Sequence, residues 1–345
     1  EYKGGSWAFF GVEGDRFMET DARRLIRPVV ATLFRGLFLA KSGSKWDCYR
    51  SGETAVLETW ASNFSGKPQS GCVRFTLRDE RGGELSVLER SVTLAAGATE
   101  RVEATWPVGD DAPAFVRLTV EMDLGGRTVD REFNAFCVWR EDTIASGPKV
   151  EIDGTAFRVD GEKRFWTGAQ TFSCQNRYHG TPLQTDADFR AMRRCGMRWT
   201  RGFLGVRTEE QRRTSDMAVL LAQRHGLVMY HCPMAGNVIG DDAAALVAEA
   251  EYIRAVTRRY RDVPGFVLDI RNEARTQGTH ASSHRDGAAW MRLWADVCRA
   301  AAKAERPDLA VSTGWCHGWA GGRATQDPPF ASVNLDFADS HCYRP

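Results

Sequence analysis

The period of the apolar residues changes once along this chain, near residue 150. Before that point apolar and polar residues alternate, which is typical of strands that bury one face. The longest regular stretch has apolar side chains at Val116, Leu118, Val120, Met122 and Leu124. After that point short apolar runs alternate with segments of helical spacing, as in folds built on a parallel sheet. The sequence therefore predicts a multidomain protein, with a β domain followed by an α/β domain.

The expected boundaries of these domains follow from the same patterns. Residues 46–145 contain short strands separated by turn sequences, which is typical of an immunoglobulin-like β-sandwich. We expect this sandwich to be a spacer without chemistry. Residues 1–45 are expected to be the tail of a preceding domain or a linker segment. Residues 146–345 are predicted to form the α/β domain, with six parallel strands.

Charge and composition exclude several kinds of partner. The formal net charge is +1 and the arginines are scattered, so no broad field attracts nucleic acid or an anionic membrane. No segment approaches the roughly 20 apolar residues that a membrane-spanning helix needs. The nine cysteines lack CxxC spacing, which predicts free thiols and weakly favours a reducing compartment. We expect a soluble protein, cytoplasmic or exported, that needs no cofactor.

Polar and aromatic residues follow the apolar part of each predicted strand in the α/β domain. The carboxyl ends of parallel strands share one edge of the sheet and face the binding crevice. Few of these side chains suit an apolar core, so we expect them to form one site. In chain order they are Gln170, Arg201, His231, Asn272, Glu273, Trp315, His341 and Tyr343.

Four segments of the sequence carry a resemblance to a known group of enzymes. They are YRSGETAVLETWASNFSG, VDGEKRFWTG, RRCGMRWTR and RRYRDVPGFVLDIRNEA. The last is the most specific, because an apolar strand, fourth in order, ends there in Asn272-Glu273. Over about residues 46–343 the sequence resembles clan A of the glycoside hydrolases, most closely the family 2 group of β-galactosidases, β-glucuronidases and β-mannosidases.

The resemblance implies a TIM (β/α) barrel and a retaining hydrolase of β-linked sugars, with a carbohydrate as its partner. It implies that Glu273 donates the proton to the glycosidic oxygen and that Asn272 hydrogen-bonds the sugar 2-hydroxyl. Arg201 matches the second-strand arginine that supports the nucleophile carboxylate. His341 and Tyr343 match the His-x-Tyr pattern of the sixth strand. The identity of the sugar stays open between galactose, glucuronate and mannose.

The chemistry of glycosides explains why a glutamate suits this role. A glycosidic leaving group needs protonation, so the acid must hold its proton near the working pH. In retaining enzymes a second carboxylate, about 5–5.5 Å away, attacks the anomeric carbon. The clan's nucleophile ends the seventh strand, whereas this chain has six predicted strands. We therefore expect a partial TIM barrel, a nucleophile beyond Pro345, and no activity from this fragment alone.

Alternatives remain for several of these residues and for the function. Trp315 is placed to stack on a sugar ring, whereas His231 is equally well a substrate contact or a hydrogen-bonded core histidine. His280 and His284 have the spacing of metal ligands, with His341 as a third, but their polar context favours solvated histidines and no metal is predicted. A non-catalytic carbohydrate-binding or scaffold homologue is the second hypothesis. A metal-dependent barrel hydrolase is the third.

Overall fold

The structure is a computed structural model of the 345-residue chain. It describes residues 30, 36–154, 156–175, 180–234, 236, 238–274, 284–316, 334–337 and 339–341. Contacts between residues divide the chain into two units, residues 1–138 and 139–345.

The described part of the first unit consists mainly of strands. They are β1 (Leu37–Ser44), β2 (Cys48–Tyr49), β3 (Thr54–Asn63), β4 (Gln69–Arg78), β5 (Glu84–Leu94), β6 (Thr99–Pro107), β7 (Phe115–Leu124) and β8 (Arg127–Val138). They form two sheets, with strand orders β1-β3-β6 and β2-β8-β7-β4-β5. The pairing is antiparallel except between β2 and β8, which run parallel.

Alternating burial along the strands explains why these segments fold as two sheets over one core. On β7 the side chains of Val116, Leu118, Val120 and Met122 are buried, and the residues between them are exposed or half-buried. Apolar side chains from both sheets meet in a single cluster. Each fully buried side chain of this size contributes about 1.5–3 kcal/mol through removal of apolar surface from water. The prediction of an N-terminal β domain is therefore confirmed.

The first strand lies before the predicted start of the β domain. β1 pairs with β3, and Leu37 and Leu39 are buried in the shared core, so residues 37–44 do not belong to a separate tail. The register shifts between Ala40 and Gly43, and such a bulge interrupts the alternation of a strand. That interruption is why residues 37–44 carried no readable strand pattern, and the boundary at residue 46 is wrong in this respect.

The described part of the second unit combines strands and helices. Its strands are β9 (Val150–Asp153), β10 (Ala156–Val159), β11 (Glu162–Lys163), β12 (Gly168–Gln170), β13 (Trp199–Phe203), β14 (Val228–Cys232), β15 (Phe266–Asp269), β16 (Val311–Ser312), β17 (Gly314–Cys316) and β18 (Asp339–His341). Its helices are α1 (Glu141–Ala145), α2 (Pro182–Arg194), α3 (Glu209–Arg224), α4 (Ala243–Arg259) and α5 (His284–Glu305). None of the helices in the described residues is long and apolar enough to cross a membrane.

A parallel sheet is the centre of the second unit. Its order is β12-β13-β14-β15-β16, so each new strand adds to the same edge. The helices α2, α3, α4 and α5 lie between successive strands in sequence and return the chain to the same end of the sheet, as parallel pairing requires. β17 and β18 form a second parallel pair. The predicted alternation of strands and helices is confirmed.

Local capping explains where three of these helices begin. The side chains of Thr181 and Asp242 accept hydrogen bonds from the first turns of α2 and α4. Thr208 and Gln211 form a reciprocal capping box at the start of α3. Such caps satisfy backbone N–H groups that the helix itself leaves unpaired, and each contributes about 1 kcal/mol. After α2 the chain turns at Gly196, whose φ of 80° is the left-handed conformation that glycine adopts without strain.

One face of the parallel sheet carries a cluster of apolar side chains. Val150 and Val159, from the β9–β10 hairpin, form a cluster with Val228 and Val267, which lie near the amino ends of their strands. Aromatic rings extend this cluster, and Phe157 contacts Trp199 edge to face at 4.9 Å between ring centroids. The hairpin therefore covers the amino ends of β14 and β15.

Candidate functional site

An open pocket with a volume of about 710 Å³ extends along β12 and β13 and past the carboxyl end of β15. Its size is within the range of small-molecule sites, roughly 300–1,000 Å³. Four of the predicted strand-end residues line it together: Gln170, Arg201, Asn272 and Glu273. The spatial grouping that the sequence predicted for these four residues is therefore present.

Arg201 is the centre of the polar network at this pocket. Its Nε and Nη2 atoms both donate to Oδ2 of Asp269, the first over 3.2 Å. Nη2 also donates to Oδ1 of Asn272 at 3.0 Å, and Nη1 donates to Oε1 of Gln170 at 3.3 Å. The Arg201 side chain is 14% exposed and that of Asp269 is 0% exposed. A half-buried cation that lines the pocket and a fully buried anion beneath it thus compensate each other.

Burial and pairing shift the pKa of both partners. Burial raises the pKa of Asp269 to about 6, although the charge and hydrogen bonds of Arg201 act in the opposite direction. For Arg201, burial alone would lower the pKa, but the attraction and hydrogen bonds of Asp269 outweigh it and the pKa lies above its usual value. The pair is therefore ionised at neutral pH, and Asp269 takes up a proton as the pH falls through about 6.

The backbone at Glu273 is in an unusual conformation. β15 ends at Asp269, four residues before the predicted strand end, and Glu273 has a φ of 48°. Residues other than glycine are strained by about 1–3 kcal/mol in this left-handed region, and such residues cluster at functional sites. Hydrogen bonds on both sides hold it: Asn272 N donates to the Met234 carbonyl and Ala274 N to that of Gly314, each at 3.1 Å.

Arg271 anchors the same segment on the side away from the pocket. This buried side chain forms an ion pair with Glu249 of α4 at 2.7 Å and lies over the ring of Trp294 of α5. The indole Nε1 of Trp294 also donates to Glu249. Because Arg271 is fixed between two helices, the next residues in the chain are directed towards the pocket.

Aromatic side chains and a second carboxylate complete the described lining. Phe172 is 56% exposed, and the guanidinium of Arg201 lies 4.9 Å from the ring centre of Phe203. The hydroxyl of Tyr230 donates to Oδ2 of Asp339 at 2.6 Å. Tyr230 and Asp339 were not predicted, although one signal for Tyr230 was available. It pairs with Arg201 in register, so the two share a face of the sheet.

His231 does not reach the pocket, and its prediction as a substrate contact is wrong. Adjacent residues of a strand point to opposite faces, and Tyr230 already faces the pocket. His231 is 0% exposed and packs between the rings of Tyr260 and Phe266, at 5.3 and 5.2 Å. Among the described residues neither ring nitrogen has a partner at ordinary hydrogen-bond geometry, and the backbone of Leu204 is the polar group that acts on the ring. His231 is therefore a core histidine.

The remaining predicted site residues stay predictions. The backbone of Trp315 and His341 belongs to β17 and β18, whose pairing places Cys316 opposite His341. The side chains of Trp315 and His341 lie outside the described part of the structure, as does the whole of Tyr343. His280 and the side chain of His284 also lie outside it. Among the residues that are described, no group of three possible ligands is placed to hold a metal ion.

Neither a family model nor a curated protein matches this sequence. Solved structures do match it, at low identity. A β-glucuronidase of Bacteroides uniformis has a TM-score of 0.39 and 15% identity, over 81% of this chain and 33% of that chain. A β-glucuronidase of Parabacteroides merdae has a TM-score of 0.39 and 11% identity, over 82% and 34%. A β-glucuronidase of glycoside hydrolase family 2 has a TM-score of 0.34 and 11% identity, over 81% and 27%.

The chain thus spans between 27% and 34% of the length of these solved proteins. TM-scores below 0.5 at such identities carry no argument about activity. Function has to follow from the residues that line the pocket.

The burial of His231 predicts a pH dependence of stability. Burial lowers its pKa to about 3, whereas an unfolded histidine titrates near 6.5. Between these values only the unfolded chain binds the proton, so the free energy of unfolding should fall as the pH falls, by about 1.4 kcal/mol per pH unit from this residue. His231→Leu should remove that contribution. Urea denaturation between pH 4.5 and 8 measures both slopes.

The two proteins should differ in slope below pH 6.5 and have parallel curves above pH 7.5, which serves as the internal control. Equal slopes throughout would show that His231 is protonated or exposed in the folded protein.

Proposed function

We propose that the pocket is the catalytic site of a retaining glycoside hydrolase that cleaves O-glycosidic bonds of β-linked sugars, with Glu273 as its acid/base. The observation that carries this proposal is the position of Glu273. It follows a parallel strand at the carboxyl edge, lines the open pocket, and is held at a φ of 48° next to Asn272. Strain held in place by the surrounding structure is a common property of catalytic residues.

The architecture of the two units also supports this proposal. We interpret the first unit as an immunoglobulin-like β-sandwich, because two sheets enclose one apolar core. We interpret the second as a partial TIM barrel of six strands, in which β16 and β17 together are the fifth strand and β18 is the sixth. Its parallel strands follow sequence order, a hairpin covers the amino ends of β14 and β15, and the pocket includes Asn272 and Glu273 at the carboxyl edge. In TIM barrels the active site occupies that carboxyl edge.

The hydrogen bonds at the pocket define the part that Asn272 plays. Arginine only donates, so the amide oxygen of Asn272 is the atom that faces Arg201. The amide NH₂ group is therefore the end directed elsewhere. In our proposal it donates to the 2-hydroxyl of the sugar, an interaction that strengthens as the anomeric centre gains positive charge.

Glu273 performs two proton transfers in this mechanism. It first gives a proton to the departing glycosidic oxygen while a second carboxylate attacks the anomeric carbon. Once that carboxylate is esterified, its negative charge is gone. Glu273 then accepts a proton from the water that attacks the glycosyl-enzyme, which restores both carboxyl groups.

The charge of the pocket favours neutral sugars as substrates. Among the described lining residues, Glu273 and Asp339 are carboxylates and Arg201 is the cation, and Asp269 already engages that cation. The carboxylate of a uronide would add a further negative charge in a partly desolvated site, which is unfavourable. We therefore propose galactosides, glucosides or mannosides over glucuronides.

Replacing the acid should affect substrates according to their leaving groups. In the full-length protein, Glu273→Gln should lower kcat/KM for an alkyl β-glycoside by about 100- to 10,000-fold, because its leaving group needs protonation. The loss should be far smaller for a dinitrophenyl β-glycoside, whose leaving group departs without it. Glu305→Gln makes the same chemical change at a surface pair with Arg258 and should leave both rates unchanged.

Equal losses on both substrates would argue against the acid role. Glycoside binding without hydrolysis in the unsubstituted protein would favour the carbohydrate-binding alternative, and activity abolished by a chelator would favour a metal-dependent hydrolase.

The proposal for neutral sugars is tested with matched substrates. The 4-nitrophenyl β-galactoside, β-glucoside, β-mannoside and β-glucuronide share one leaving group, so their kcat/KM values compare sugar recognition alone. At least one neutral glycoside should exceed the glucuronide by about tenfold or more, which corresponds to about 1.4 kcal/mol. A preference for the glucuronide would show that a cation outside the described lining contacts the sugar.

A further inference from the structure

Asp269 lies beneath the pocket, on the same face of the sheet as Arg201. Arg201 is opposite Tyr230 in register, and Tyr230 is opposite Val267, so residues 267 and 269 of β15 share the face of Arg201. Asp269 is 0% exposed and is not part of the pocket lining. It therefore acts on a ligand only through other residues.

The two carboxylate oxygens of Asp269 hold two different parts of the site. Oδ2 accepts both hydrogen bonds from Arg201, which in turn donates to Asn272. Oδ1 accepts from the backbone N of Gly314 at 3.0 Å. The carbonyl of Gly314 accepts from Ala274 N, the residue after Glu273. One carboxylate thus connects to both sides of the Asn272–Glu273 segment.

The charge of Asp269 also determines where Arg201 points. Two other carboxylates, Glu273 and Asp339, line the same pocket and would attract the guanidinium if Asp269 did not hold it. An arginine next to Glu273 would stabilise its ionised form and so weaken it as an acid. It would also release the amide oxygen of Asn272.

From this geometry we infer that Asp269 is a positioning residue that keeps Arg201 on Asn272 and away from Glu273. The inference rests on the proposed role of Glu273 for its catalytic consequence, but the positioning of Arg201 is a property of the fold. Among the described residues, the titratable groups that act on Asp269 are Arg201 of β13, Tyr230 and Cys232 of β14, and Asp339 of β18. Burial raises the pKa of Asp269 to about 6, so its hold on Arg201 weakens in mild acid.

The kinetic test compares two buried Asp–Arg pairs. Asp269→Asn keeps the shape and removes the charge, and it should lower kcat/KM on an alkyl β-glycoside by about 100-fold through misplaced groups. The alkaline limb of the pH profile, which reports the acid, should move down by about one pH unit. Asp216→Asn breaks a comparable pair with Arg259 between α3 and α4 and should leave the pH profile unchanged. Identical effects of both variants, or an unshifted alkaline limb in Asp269→Asn, would overturn the inference.

A spectroscopic test separates this inference from the proposed function. The side-chain Nε–H signal of Arg201 in ¹⁵N NMR, assigned by its loss in Arg201→Lys, should be protected from exchange in the unsubstituted protein and in Glu273→Gln. It should be lost in Asp269→Asn, and persistence there would overturn the positioning of Arg201 whatever Glu273 does. Its loss together with a fully active Glu273→Gln would overturn the acid role and support the positioning of Arg201.

If Asp269→Asn does not fold, the unsubstituted protein provides the same information. At pH 7.5 the Nε–H of Arg201, which donates to Asp269, should exchange with water much more slowly than that of Arg258, which pairs with Glu305 at the surface. Equal exchange rates for the two side chains would contradict the inference.

Discussion

Arg201 and Asp269 form a buried ion pair on which the geometry of the pocket depends. Two charges removed from water are tolerated only when they compensate each other and their remaining hydrogen-bonding atoms are satisfied. Here Arg201 also donates hydrogen bonds to the side-chain oxygens of Gln170 and Asn272, and the backbone N of Gly314 donates to Oδ1 of Asp269. The pair therefore connects residues of β12, β13, β15 and β17. Through Asn272 and Gly314 it holds the residues on either side of the strained backbone at Glu273.

The sequence was sufficient to predict that four of the lining residues meet at the pocket. Helical and strand segments alternate after residue 150, and parallel strands bring their carboxyl ends to one edge whatever the details of packing. That rule alone predicts four residues that line the pocket, which are Gln170, Arg201, Asn272 and Glu273. The split between a β domain and an α/β domain followed in the same way from the change of period.

Other features depend on information that a pattern of apolar residues does not contain. A polar residue at a strand end faces either side of the sheet, so His231 was assigned to the pocket although Tyr230 occupies that face. Asp269 lies within an apolar run and gained its importance from Arg201, which is 68 residues away. The positive φ of Glu273 is a property of the folded backbone, held by hydrogen bonds to Met234 and Gly314.

A crystal structure of the Glu273→Gln variant with an uncleaved neutral β-glycoside measures directly where the acid lies relative to the bond that it protonates. The glycosidic oxygen should lie within about 3.2 Å of the side chain at position 273. The 2-hydroxyl should lie within hydrogen-bonding distance of the Asn272 amide. A sugar bound elsewhere, or one in the pocket with the side chain at 273 directed away from the glycosidic oxygen, would contradict the role of Glu273 as the acid.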